Sequence, residues 1–368
     1  MTRTRVASFA LCFAVAFAAL PRAVQAQPAA PAFDLVPLGD SVFAVIRREP
    51  LGFAVNGNSL VVICDKDVLV VDTDFTRKAA NEVIAAIRQL TKKPVRYVVN
   101  THWHDDHVMG NQAYRDAFPD VKFVAHENTL DGLTHDAVTN RKQQLEGAPA
   151  GLDYFRDVLK KGTSLGGGAM ADDERATWTS TIAIVEQYLA EAPTAVSVLP
   201  SVTFSDHLTL ERGSRKIEIL YFGPANTRGD AVIFLPKEKI VATGDLVVAP
   251  IPFTFNSNIG PWIGALDKLR ALGAKVYVPG HGPVMHDDSY IRQVQRLLTS
   301  VRDQTAAAVA RGDSLAQARK SVDLSAIRTE FTGDSPLLKI LFGSFVTEPA
   351  VAQGFAEATA KGNASPQR

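Results

Sequence analysis

Three of the chain's eight histidines fall within six positions, in the run His102-Trp103-His104-Asp105-Asp106-His107. Imidazole nitrogens and carboxylate oxygens are the donors that zinc takes at about 2.0–2.2 Å. On a loop leaving a strand, His at i and i+2 turn toward a common point, while Asp at i+4 and His at i+5 face a second point close by. Two cations so placed would hold a hydroxide between them and polarise a substrate carbonyl. The alternative is a polar surface turn that happens to be rich in histidine. The run directly follows an apolar stretch, Val95 to Val99, where so many polar groups waste burial unless something coordinates them.

Elements must bring that loop to its partners. Short β-branched runs at 41–46, 53–55, 59–64 and 67–71 predict strands, split by turn signals at Asn56-Gly57-Asn58 and Cys64-Asp65-Lys66-Asp67. Val83, Ile84, Ile87 and Leu90 have helical spacing. A strand at 95–99, a helix over 108–118 and a strand at 121–125 then form a strand–helix–strand unit. Residues 127–200 carry charge runs and the Gly166-Gly167-Gly168 break, and are expected to be a helical insertion bordering a cleft. Strands resume at 201–204, 208–210, 216–222, 231–235 and 239–243. A helix near 262–272, a strand at 275–278 and a helical pattern from Ser289 to about 360 follow. Such an order belongs to a layered α/β or α+β domain.

The 368 residues carry 39 basic and 39 acidic side chains, with 46% apolar and 21% charged residues. That is a globular composition able to bury a core, with no electrostatic footprint for nucleic acid or an anionic membrane. Arg3 and Arg5 precede an apolar run from Val6 to Leu20, and Val24-Gln25-Ala26 offers small residues for cleavage. This predicts a signal peptide over 1–26 and a periplasmic or secreted protein, without membrane attachment after cleavage. The run stops at Pro21, short of the ~20 apolar residues a membrane span needs. Cys12 would leave with it, so Cys64 alone remains and no intramolecular disulfide forms. The main domain is expected over 27–300, followed by a C-terminal helical extension over 301–368.

Three further features complete a pattern. Val68-Leu69-Val70-Val71-Asp72-Thr73 is a strand ending in Asp, Val241-Ala242-Thr243-Gly244-Asp245 ends in Gly-Asp, and Pro279-Gly280-His281-Gly282 comes late. His102, His104, Asp106 and His107 fill an HxHxDH motif. In this order, across residues 40–290, these marks resemble the metallo-β-lactamase superfamily. The resemblance implies an α+β fold, a four-layered αββα sandwich with metals at one edge of its two sheets. It also implies zinc, one or two ions, as cofactor. His102 and His104 would serve a first position, and Asp106, His107 and His281 a second, with Asp245 bridging both. Asp72 would be a hydrogen-bonding partner of a ligand histidine, or else a turn-capping residue.

The family's remaining first-position histidine lies in a Gly-x-x-His-Thr segment, where this chain reads Gly223-Pro224-Ala225-Asn226-Thr227. An amide oxygen is a weaker donor than imidazole. A tight second position and a weak first one, with at most a long contact from Asn226, are therefore expected. The resemblance implies a hydrolase acting on the carbonyl of a β-lactam, lactone or ester in a small-molecule substrate, with Asp106 steering the hydroxide or accepting its proton. A thioester hydrolase of the hydroxyacylglutathione hydrolase type and a catalytically degenerate periplasmic metal- or ligand-binding protein are the alternatives. His104 argues against the oxygen-reducing di-iron branch, which carries Glu there. Ala249 to Phe255, with Trp262, would form an apolar substrate wall or ordinary core. Trp103 is expected to pack beneath the metal loop, and Arg228 to orient an anionic group or sit in solvent. His126, His135, His207 and His286 receive no role.

Overall fold

The computed structural model describes residues 32–53 and 55–364, with side chains through Lys361. The expected leader, 1–26, lies outside the described residues. No helix among them is long and apolar enough to cross a membrane.

Two sheets form. The first contains β1 (Phe33–Gly39), β2 (Val42–Arg47), β3 (Ser59–Ile63), β4 (Val68–Val71), β5 (Val95–Val99), β6 (Lys122–His126) and β7 (Val202–Phe204), in chain order. The second contains β8 (His207–Arg212), β9 (Arg215–Tyr221), β10 (Ala231–Leu235), β11 (Ile240–Val248) and β12 (Val276–His281), paired in sequence from β8 to β12. Strand alternation assigns the layers. In β4, Leu69 and Val71 face the second sheet together with Ile217, Ile233 and Val278. Val68 and Val70 face the other way, onto helix α1 (Arg77–Leu90) through Val83, Ile84 and Ile87. Thr76 starts α1 by accepting the Ala79 N–H.

Helices α2 (Asp105–Val108) and α3 (Asn111–Ala117) follow β5. The single helix expected over 108–118 is thus two, parted at Gly110, where a Cβ would meet the Thr73 carbonyl oxygen at 1.7 Å. Between β6 and β7 stand α4 (Glu127–Thr134), α5 (Asp136–Lys161) and α6 (Asp172–Glu191). Helix α7 (Ile259–Ala271) lies between β11 and β12, and α8 (Ser289–Ala310) follows β12. These two cover the outer face of the second sheet, with Trp262, Leu266, Leu297 and Val301 against Val232, Phe234 and Val241. The order is helix, sheet, sheet, helix: the four-layered α+β sandwich. Helices α9 (Leu315–Ser321), α10 (Ser325–Thr332), α11 (Pro336–Phe342) and α12 (Glu348–Ala364) continue, with a π-helical turn at Gly343–Thr347. Leu341, Phe342, Phe345 and Val346 join the same core as α7 and α8.

Phe53 and Val55, expected in a strand at 53–55, lie in a loop; residue 54 is outside the described set. That loop has a different task, set out below.

Candidate metal centre

The carboxyl ends of β4, β5, β11 and β12 meet at one edge of the two sheets. Asp72 follows β4, His102 follows β5, and Asp245 and His281 lie in β11 and β12. The β11–β12 register shifts on either side of Gly244, an irregularity of the kind that re-aims a side chain. Gly244 has φ +51°, and a Cβ there would come within 2.6 Å of Thr101. A Cβ on Gly280 would sit 2.0 Å from Asp245 Oδ1. Both glycines are required by this close approach.

Four donor atoms converge. His107 Nε2 lies 3.2 Å from His281 Nε2, 3.4 Å from Asp106 Oδ2 and 3.3 Å from Asp245 Oδ1. His281 Nε2 lies 3.0 Å from Asp106 Oδ2 and 3.6 Å from Asp245 Oδ1. A tetrahedron of donors around zinc, at bonds of about 2.0–2.2 Å, has edges of roughly 3.3–3.6 Å. Three of the five separations fall in that range, and Asp106, His107 and His281 stand 3.0–3.4 Å from one another as one face of such a tetrahedron, with Asp245 Oδ1 beside it. Asp245 Oδ1 is buried without a hydrogen-bond partner, a costly condition unless a cation satisfies it. The residues fit the metal.

Local bonds fix the imidazoles. Asp72 Oδ2 stands 2.8 Å from His107 Nδ1 and also accepts the Thr101 hydroxyl at 2.8 Å. With its proton committed to Asp72, Thr101 Oγ1 accepts from His102 Nδ1 at 2.9 Å. Both rings therefore carry hydrogen on Nδ1 and turn Nε2 inward. Asp72 organises two histidines, one on each side of the centre.

Charge separates the group further. Burial and the neighbouring His107 hold His102 well below the usual histidine range, and burial lowers His104. Burial alone would lower His107 too, yet Asp106, Asp245 and Asp72 raise it well above its ordinary value. Asp245 and Asp106 are held low against burial, His107 being the largest opposing influence on each.

The other half of the centre is built on His102 and His104. His102 Nε2 lies 2.9 Å from His104 Nδ1 and 3.6 Å from Asp245 Oδ2. The tight groups of potential ligands are His102–His107–Asp245 and Asp106–His107–His281. Asn226 belongs to neither. It is fully buried and its Nδ2 donates to the Phe253 carbonyl at 2.5 Å, which leaves Oδ1 buried and unpartnered.

Other expected residues fall where their contacts put them. Trp103 packs with Val108, Leu133 and Ala137 under the loop and also borders the cavity over the centre. Trp262 is core, its Nε1 donating to the Leu246 carbonyl. Arg228 pairs with Asp131 and Asp136. His126 stacks on Tyr221 and bonds the Ser205 carbonyl, away from the donors.

Two devices escaped the sequence reading. Asn58, read as part of a turn, donates Nδ2 to the carbonyls of Pro279 (3.0 Å) and Gly282 (2.8 Å), bracketing His281. Its own N–H bonds the Gly280 carbonyl at 2.7 Å, and its Oδ1 accepts from Arg47 N. Asp105, the carboxylate inside the motif that faces no ligand set, is gripped from the insertion. Arg141 of α5 donates to both its oxygens at 2.6 and 3.1 Å, and Tyr188 of α6 at 3.1 Å. A second Asp in the motif was the available signal, since a buried carboxylate requires a cation or donors.

A cavity of about 430 Å³ opens over the donors and is bordered by His104, Asp106, Asp245 and His281. That is the size of a small-molecule site.

Residues 52–281 match the model of the metallo-beta-lactamase superfamily. The chain is 24% identical over 253 residues to a linear primary-alkylsulfatase of Pseudomonas sp. (strain ATCC 19151), covering 65% of this chain and 44% of that one. It thus spans less than half the length of that relative. It is 23% identical over 239 residues to metallo-beta-lactamase type 2 of Bacillus cereus, covering 63% of this chain and 70% of that one. Among solved structures, a metallo-beta-lactamase from Pontibacter korlensis superposes with a TM-score of 0.50 at 22% identity, over 73% of this chain and 99% of that one. The DIM-1 metallo-beta-lactamase does so at 0.51 and 19%, over 73% and 98%. The structures share the fold, and the matched segment carries every donor of the centre. The chain belongs to the metallo-beta-lactamase superfamily, whose members are hydrolases that mostly use zinc.

Proposed function

We propose that this protein is an exported zinc-dependent hydrolase that cleaves the carbonyl bond of a β-lactam, lactone or ester, working chiefly from the second metal position. The observation that carries this reading is the close donor group of Asp106, His107 and His281, with Asp245 beside it, at the floor of a small-molecule cavity. Zinc held there supplies Lewis acidity, polarising a carbonyl oxygen and making water acidic near neutral pH. The remaining work falls to side chains. Asp106, 23% exposed, is the more exposed of the two donor carboxylates that border the cavity, and it orients the attacking water and accepts its proton. Asp72 keeps His107 and His102 in the tautomer that faces inward. Asn58 holds the loop of His281 in place. Aromatic walls keep bulk water from the reacting carbonyl.

Relatives named for alkyl sulfates and β-lactams support hydrolysis on this fold. The Arg3/Arg5 and Val6–Leu20 pattern supports export. The three-donor group of Asp106, His107 and His281 leaves a zinc position open for water, which favours turnover over a purely binding role. The test is hydrolysis of a chromogenic β-lactam, a γ-lactone and a phenyl ester, with metal content measured in parallel. Activity on at least one of them, abolished by chelator and restored by zinc, is expected. Protein that retains neither zinc, iron nor manganese, or metal-loaded protein that cleaves none of the three, overturns the reading.

A further inference from the structure

The cavity over the metal centre is lined unequally. Its acids are Asp105, Asp106 and Asp245, and no Lys or Arg borders it among the described residues. Arg141, beside the bordering Asn140, is committed to Asp105, so no free guanidinium waits there for an anionic substituent. A continuous aromatic strip leads outward from the donors instead. His104 meets Phe253 at 6.0 Å, Phe253 meets Phe345 at 5.6 Å, and Phe345 meets Phe53 edge-on at 5.2 Å. Phe53 then stacks on Trp178. Phe53 and Phe255 remain 44% and 38% exposed. Large apolar rings left in water at a cavity mouth mark a surface built to be covered. Side-chain amides of Asn140, Gln143 and Gln144 on α5 supply the uncharged polar part of the border.

We infer that the site selects an uncharged ester or lactone bearing an extended apolar acyl chain, with Phe53, Phe253 and Phe345 as its specificity-determining residues. This rests on the hydrolase reading above and names its substrate class. Water adds to the acyl carbon, the C–O bond to the alcohol breaks, and the alcohol oxygen takes up one proton. The carboxylic acid then loses its own proton to solvent. A neutral substrate thus becomes an anionic product inside a cavity whose side chains are carboxylates, amides and rings, which favours its release. Substrates carrying a carboxylate or sulfate away from the scissile bond find no partner to replace their hydration.

The experiment uses the zinc-loaded full chain and p-nitrophenyl esters of acetate, butyrate and octanoate, with the mono-ester of suberate as a charged chain of octanoate's length. Each methylene that enters an apolar wall is worth up to about fourfold. A rise in kcat/KM of at least tenfold from acetate to octanoate is therefore expected, carried mainly by KM, with a fall of at least tenfold from octanoate to suberate. Phe53→Ala, at a half-exposed position, should lower octanoate turnover more than acetate turnover. Phe255→Arg should narrow the gap between octanoate and suberate. A chelator-sensitive esterase with a flat chain-length series, or one that prefers suberate, overturns the inference while leaving the hydrolase reading intact. If no ester is cleaved, tryptophan fluorescence decides on the cavity alone, using octanamide and suberamate as ligands. Tighter octanamide binding sustains the apolar pocket as the hydrolase reading fails, and equal or reversed affinities overturn both.

Discussion

The two metal positions share Asp245 and lie at one sheet edge, but their surroundings differ. Around the second position Asp106, His107 and His281 stand 3.0–3.4 Å apart, and Asp245 lies 3.3 and 3.6 Å from the two histidines. Its two histidines are held from behind, His107 by Asp72 and His281 by a loop that Asn58 ties at three carbonyls. Around the first, His102 is oriented through Thr101, but Asn226 has committed its amide nitrogen to the Phe253 carbonyl. A residue that would carry an imidazole in the family pattern here fastens a wall of the substrate cavity. Both positions bring candidate donors together; they differ in that Asn226 is engaged elsewhere while both histidines of the second position are fixed by hydrogen bonds.

The largest effects should follow from breaking the second position. His281→Ala removes one corner of the donor set, and Asp106→Asn removes both a donor charge and the proton acceptor. Hydrolysis should fall on the order of 10²–10⁴-fold in Asp106→Asn, and His281→Ala should lose zinc on dialysis. Metal content and kcat/KM, measured side by side, check this. Retention of full activity in either variant would move the chemistry elsewhere. Asp72→Ala should come next, since it frees the Nδ1 side of His107 and the Thr101 relay to His102. Zinc affinity should weaken by about 10–100-fold, the scale for partners behind a ligand. Thr101→Val tests the asymmetry directly. It cuts only the His102 branch, so competition with a chromogenic chelator should show a smaller loss than for Asp72→Ala. Equal losses would mean that the two positions depend on each other more than their contacts indicate.

Asn226→His sharpens the comparison from the other side. An imidazole there supplies the donor that the family pattern has, and equilibrium dialysis should show zinc rising from about one ion per chain toward two, with a higher hydrolytic rate. The same change releases the Phe253 carbonyl, so KM for a bulky substrate should rise while stoichiometry increases. Unchanged stoichiometry would remove Asn226 as the cause of a weak first position.

The contrast between floor and walls also explains what could be read in advance. His102 to His107 are legible because their residue types have few reasons to follow an apolar strand other than coordination, Asp245 and His281 through the family resemblance of their Gly-Asp and Pro-Gly-His-Gly segments, and the layered α+β order follows from alternating strand and helix patterns. The walls are not legible in that way. Phe53 was expected in a strand and instead lines the cavity from a loop, because an aromatic in a short apolar run has the same signature whether it meets core or substrate. Phe345 reaches the site from a π-helical turn in a region that reads only as helical. Phe253 and Trp262 were weighed together, and the structure separates them into cavity wall and core. Asn58 illustrates the third difficulty: Asn-Gly-Asn is a sound turn signal, and nothing in it reveals bonds to carbonyls more than 220 positions away.

The smallest effect concerns stability, and it reports on charge at the first position. Asp230 accepts the Thr227 N–H and hydroxyl through Oδ2, while its Oδ1 is buried and unpartnered. Burial pushes its carboxyl up to about 7, with the charge of Asp245 adding to the rise against the Thr227 bonds. An unfolded Asp titrates near ~3.9. Between those values the folded chain keeps a proton that the unfolded chain has lost, so stability must fall as pH rises through this window. In chelator-treated protein the urea midpoint of the unsubstituted chain, measured relative to that of Asp230→Asn, should decline from about pH 4.5 to about pH 7.5. A second zinc in Asn226→His would offset the Asp245 charge and draw the Asp230 titration downward, shrinking the slope in metal-loaded protein. A slope that stays the same when that second ion binds would mean the cation is seated too far from Asp245 to be bridged by it.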